Sequence, residues 1–148
     1  MSYNPIQIAL KMSKLSFIIL FLVILYSPKL YSQRTASNYY DIADSIQYTG
    51  NYAEAIKYFN EASIGYDTLK QWHGKYLSLV RVASVENMLG HFKESLMLSN
   101  KILNQSKGLL PDSSSVRAMA YSIRGIAHIR LDQLEPSISS LKKSMEIL

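Results

Sequence analysis

Apolar residues between positions 37 and 49 fall at Tyr39, Ile42, Ala43 and Ile46. That i, i+3, i+4, i+7 spacing places them on one face of a helix. The same period predicts a second helix over 53–69, with Ala55, Ile56, Phe59, Ala62 and Tyr66 turned inward, and a third over 71–89, with Leu79, Val82, Ala83 and Leu89 inward. Further helices are expected over 93–107, 114–131 and 135–148. Small Ala55 and Ala62 would let neighbouring helices approach closely. The clearest break is Gly108-Leu109-Leu110-Pro111-Asp112, where glycine ends one helix and proline resists its continuation.

The polar positions between the helices repeat as well. Gly50-Asn51-Tyr52-Ala53-Glu54 returns as Gly90-His91-Phe92-Lys93-Glu94, and once more, at nearly the same interval, as Asp132-Gln133-Leu134-Glu135-Pro136. Gly50 and Gly90 can take the left-handed conformation that closes a helix. Asn51 with Glu54, and His91 with Glu94, stand where a cap and its capping-box acid belong. Pro136 takes the third acid's place and suits a first helical turn. Tyr52, Phe92 and Leu134 share one position, an apolar wedge between two helices. A regular return at this interval points to stacked helix–turn–helix units.

These motifs resemble the tetratricopeptide repeat family over 36–148. Its Gly, aromatic, Ala, aromatic, Ala series matches Gly50, Tyr52, Ala55, Phe59 and Ala62. The second copy keeps Leu79, Val82, Ala83, Gly90 and Phe92, and departs at Ser95, Ser99 and Ile102. The third keeps Tyr121, Gly125, Leu134 and Leu141, and departs at Arg124, Asp132, Ser137 and Ser144. The resemblance implies an all-α solenoid of antiparallel helix pairs, with repeats at about 36–69, 71–108 and 113–148. It also implies a concave groove lined by the first helix of each pair. The matching positions are Tyr40, Asp44 and Gln47; Arg81, Ser84 and Asn87; and Ser122, Ile126 and Ile129. This groove is polar at one end and apolar at the other, and it lacks the paired Lys and Asn by which some members clamp a peptide's terminal carboxylate. The family's usual unit is about 34 residues; the longer copies here look like those of bacterial extracytoplasmic sensors and regulators.

The leader accounts for much of the charge. Residues 1–32 carry Lys11, Lys14, Lys29 and no acid, and Leu15 to Tyr26 is almost wholly apolar before Ser27-Pro28-Lys29. A basic flank, a run of a dozen apolar residues and a small residue at the end describe a secretory signal. The run falls short of the roughly 20 residues that a membrane-spanning helix needs. Cleavage is expected between Ser32 and Gln33, an uncleaved anchor is the alternative, and Met12 is a candidate start. The whole chain has a net charge of +5; after the leader 13 basic residues face 11 acidic ones. No basic stripe remains, so nucleic acid is not an expected partner. With no cysteine, disulfides, thiol nucleophiles, Cys-bound zinc and a cysteine lipid anchor are excluded.

Catalytic chemistry finds little support. His73, His91 and His128 form no metal-binding pair, His91 lies at a turn, and His128 stands where the family often has a packing tyrosine. Asp41 and Asp44 near the start of a helix favour its dipole. No phosphate loop or nucleophile grouping can be assembled, and neither a cofactor nor a metal is expected. The chain is expected to be a non-enzymatic scaffold binding a protein or peptide, exported to the periplasm or beyond, with membrane contact only through an uncleaved leader. The alternative is the sensory region of a larger membrane signalling protein, a histidine kinase or transcriptional regulator. No polar capping helix follows 135–148, although solenoids usually need one. The array is therefore expected to continue or to close against a partner, including self-association through this last helix.

Overall fold

Short turns set the geometry of this fold, and each is built round one backbone position in the left-handed region. The computed structural model describes residue 19 and residues 35–148. Residue 19 apart, the leader, its cleavage point at Ser32–Gln33 and the candidate start at Met12 thus lie outside the described residues. Helix α1 covers 35–48, α2 Tyr52–Thr68, α3 Trp72–Met88, α4 Phe92–Gln105, α5 Ser115–Arg130 and α6 Leu134–Ile147. No strand occurs among the described residues; Lys107 and Leu110 form an isolated bridge. The fold is all-α, with repeat-like packing of successive helices.

The left-handed positions at these turns are Gly50 (φ 82°), Lys70 (56°), Gly90 (81°) and Asp132 (57°). At the α3–α4 turn the Gly90 N–H donates to Asn87 O and the His91 N–H to Glu86 O. This pair of bonds satisfies carbonyls that the helix end would otherwise leave free. Lys70 with Gln71, and Asp132 with Gln133, make the same pair at two other turns. Asp132 thus does the work of the two glycines it replaces.

Capping differs from the expected box. Asn51 Oδ1 accepts from the Glu54 N–H at 3.4 Å, but Glu54 returns to the Asn51 side chain, Nδ2 to Oε2 at 2.6 Å, rather than to its backbone N–H. His91 makes no cap bond; its Nδ1 lies 2.7 Å from Glu86 Oε2. The corresponding pair at the α5–α6 turn is His128 Nδ1 with Gln133 Oε1, also at 2.7 Å. The same clasp across the turn is made twice, with the histidine on opposite sides.

Hydroxyl bonds fix the helix directions. Ser137 Oγ donates to Gly125 O at 2.9 Å and Ser144 Oγ to Ala118 O at 2.8 Å. As one number rises by seven the other falls by seven, so α5 and α6 are antiparallel. Ser95 Oγ donates to Ala83 O in the same way at 2.8 Å. These serines stand where the repeat pattern has alanine. They keep the small volume that close packing needs, and the partner helix satisfies each hydroxyl. Gly125 serves the same end, since a Cβ there would come within 2.7 Å of Leu141 Cδ2.

The core has two lobes. Ala43, Ala55, Phe59, Val82 and Val85 join α1, α2 and α3. Tyr76, Val80, Ile102, Val116 and Ile123, among others, join α3, α4 and α5. The longer connection between α4 and α5 is pinned by buried Leu110 and by buried Arg117, whose Nη1 donates to Leu103 O and Ser106 Oγ at 3.3 and 3.2 Å. Three residues expected to pack inward are instead exposed: Ile42, Leu89 and Leu134. On α1 the buried stripe runs through Ala36, Ala43 and Gln47, which leaves Ile42 at its edge. Leu89 falls at the C-cap, beyond the last turn of α3. Leu134 opens α6, and its outward side faces solvent.

Candidate functional site

The first helices of successive pairs, α1, α3 and α5, carry the residues singled out from the repeat pattern. Tyr40, Asp44 and Gln47 lie one helical turn apart on one face of α1. Tyr40, although set off from the packing positions by the sequence pattern, is half-buried and meets Phe59 edge-on, with ring centroids 5.3 Å apart. Asp44 is paired with Arg81 of α3. The Arg81 guanidinium also lies 6.0 Å from the Phe59 ring centre. Tyr40, Asp44 and Arg81 thus come together over one aromatic ring.

Electrostatics makes this cluster self-contained. Burial raises the Tyr40 phenol above its ordinary pKa of 10.0, opposed by Arg81 and assisted by Asp44. Burial acts against the charge of Arg81, but Tyr40 and Asp44 outweigh it and the guanidinium's pKa lies above its usual value. One fixed cation is matched by one carboxylate. The site therefore offers a charged ligand no unbalanced partner.

Beside the buried, unpaired Nε of Arg81, it holds neutral acceptors. Gln47 is buried, and its Oε1 has no hydrogen-bond partner among the described residues. Asn87 is at the corresponding place on α3. Its Nδ2 donates to Ile123 O at 3.1 Å, so Oδ1 must be the free atom; it too is buried without a partner among the described residues. A carbonyl pairing an amide N–H fixes which end of the side chain points where. Two unpaired buried acceptors carry a desolvation cost of about 1–3 kcal/mol each.

Ser84 and Ser122 are half-buried, and Ile126 and Ile129 are exposed. Ile129 holds on α5 the place that Gln47 and Asn87 hold on α1 and α3. Along these equivalent places the side chains thus run from amide on α1 and α3 to isoleucine on α5. Phe59, which seats both Tyr40 and Arg81, belongs to α2 and escaped selection because it reads as a core residue. Ile123 was missed because its contribution is a backbone carbonyl, which no side-chain pattern reveals.

A concavity of about 420 Å³ is lined by Asp112, Arg117, Tyr121, Lys143 and Glu146, among others. Its charges also cancel in pairs, Arg117 with Asp112 at 3.7 Å and Lys143 with Glu146 at 2.6 Å. Among the described residues no group of three or more acids and histidines is arranged to hold a metal ion, and no helix is long and apolar enough to cross a membrane. No family model matches the chain, and no curated protein matches it either.

Proposed function

We propose that this protein is a non-enzymatic scaffold of the tetratricopeptide type, exported from the cytoplasm, which binds an extended protein or peptide segment along α1, α3 and α5. The observation that carries the reading is the row of equivalent positions on α1, α3 and α5, where the amide side chains of Gln47 and Asn87 give way to the exposed Ile129. An extended peptide supplies backbone N–H donors at regular intervals, and it recovers the desolvation cost of Gln47 Oε1 or Asn87 Oδ1 where that amide side chain turns outward to meet it. Ile126 and Ile129 add an apolar anchor at the other end of the row. The balanced Asp44–Arg81 pair favours a neutral stretch of partner over a strongly charged one.

Panning a random dodecapeptide library against the chain tests this reading. Peptides recovered should be poor in charge, and should bind Asn87→Leu and Ile126→Asp variants at least about tenfold more weakly, the loss of one buried hydrogen bond or one apolar anchor. If recovered peptides bind these variants as well as the parent, the groove is not the binding face.

A further inference from the structure

The third helical pair departs from the second at three equivalent positions. Leu79, Val82 and Leu98 pack into the two core lobes. One repeat further on, their places are taken by Tyr121, Arg124 and Ser140. Polar side chains thus stand on α5 and α6 where apolar ones fill the space on α3 and α4, and the 420 Å³ concavity lies beside them. Arg124 joins the helices on either side of it: Nε donates to Ser140 Oγ on α6 at 3.0 Å, and Nη1 to Asn100 Oδ1 on α4 at 3.3 Å. Lys143 and Ile147, two of the lining residues, follow Ser140 at one and two helical turns. The concavity therefore belongs to the side of α6 that faces α4, with α5 between them.

Cations outnumber acids around it. Arg117 and Lys143 have Asp112 and Glu146, but the Arg124 guanidinium, 4.8 Å from the Tyr121 ring centre, meets no carboxylate among the described residues. Burial lowers its pKa, with Tyr121 opposing. The pairing at Arg117 is itself loose. Its side chain is only 10% exposed, and Nη1 is taken by Leu103 O and Ser106 Oγ. Nε is sealed without a partner, whereas Nη2 is not sealed and lies 3.7 Å from Asp112 Oδ1, beyond hydrogen-bond reach. Asp112 is 95% exposed, so its carboxylate gains little by staying there. Nη2 is thus an open donor on the concavity, in surroundings with one surplus positive charge. A guanidinium edge suits a carboxylate. Tyr121 and half-buried Ile147 add apolar wall, and the volume falls within the range of small-molecule sites, about 300–1,000 Å³. We infer that this concavity binds a small monocarboxylate, its charged end on Arg117 Nη2 and its apolar body against Tyr121 and Ile147. Asp112 is then a tethered competitor that the ligand displaces. This site stands independently of any peptide bound to α1, α3 and α5.

Benzoate is a probe of the right charge and shape. Added to the isotope-labelled full-length chain, it should move the NMR signals of the Arg117 and Arg124 Nε–H groups and of the Ser113 backbone saturably, with Kd about 1 mM as a ligand of its size allows. Benzamide, neutral and of nearly the same shape, should bind at least about tenfold more weakly. The Asp112→Asn change should tighten benzoate about threefold by removing the competitor, a modest effect because that pair is exposed. Arg124→Gln should weaken benzoate about fivefold while the helical circular dichroism signal is unchanged, since the surplus charge is then gone. Should Arg124→Gln lose that signal, Asp112→Asn decides alone, because Asp112 is too exposed to matter to folding. The inference is overturned by the absence of a saturable shift up to about 20 mM benzoate, or by benzamide binding as well as benzoate. Tighter binding of inorganic phosphate than of benzoate also overturns it, as does an affinity indifferent to Asp112→Asn.

Discussion

Serine in place of alanine lets α3 and α4, and α5 and α6, pack closely without leaving a hydroxyl stranded. Ser95 and Ser137 occupy equivalent places, and each donates to the carbonyl directly across, on Ala83 and Gly125. In the first pair the same position is Ala55, fully buried. Volume is therefore the first requirement and the hydroxyl a supplement. Ser95→Ala should cost only about 0.5–1.5 kcal/mol, whereas Ser95→Val, which overfills the contact, should cost about 1–3 kcal/mol. Urea midpoints of the two variants check the order. Two phenols set the alkaline limit. Burial raises Tyr40 and Tyr76 above 10.0, with Lys75 opposing and Asp67 assisting at Tyr76. Both therefore hold their protons more tightly folded than unfolded, so their contribution is complete below pH 10.0 and is lost as pH rises through the folded values. Thermal melts from about pH 9 to pH 11 should show this fall, and Tyr40→Phe should flatten it.

Among the elements, the turns decide how far each helix runs. A Cβ on Gly90 would touch nothing nearer than Phe92 Cζ at 4.0 Å, so Gly90→Ala isolates the backbone cost. It should destabilise by about 1–2 kcal/mol. Conversely, Lys70→Gly and Asp132→Gly relieve left-handed strain at the matching turns, and each should stabilise by about 0.5–1 kcal/mol once the added freedom of the unfolded chain is subtracted. Paired denaturation curves would check both signs. Two of these turns were legible because glycine marks them; Lys70 could not be read, since a lysine there signals nothing about φ. The first three helices were legible from period, and the later three with the help of the breaks at Gly90, Gly108, Pro111 and Asp132. The misplacement of Ile42 arose because one wide apolar stripe does not say which of its edges faces the neighbour, and the small residues Ala36 and Ala43 settled it. Leu134 read as a wedge from its alignment with the half-buried Tyr52 and Phe92, yet among the described residues it is exposed.

Across the whole molecule, the candidate site was legible as a row of positions but not as a set of interactions. Positions 47 and 87 follow from the repeat, and so does the change to isoleucine at 129. The pairing of Asp44 with Arg81 does not, because it depends on the lateral distance between α1 and α3. Arg81→Met should weaken the region less than Asp44→Ala does, since removing the carboxylate leaves a half-buried cation unmatched; chemical denaturation of the pair would show it. The extensive pairings among α2 to α6 join consecutive helices and, beyond these, α3 with α5. Such nearest-neighbour stability is additive along the stack. Among the described residues α2 makes no extensive pairing with α5 or α6, so this run of helices has no clasp against tension. Stretched between its ends, it should peel away one helical hairpin after another, lengthening in small steps at low force where a knitted sheet would hold and then snap.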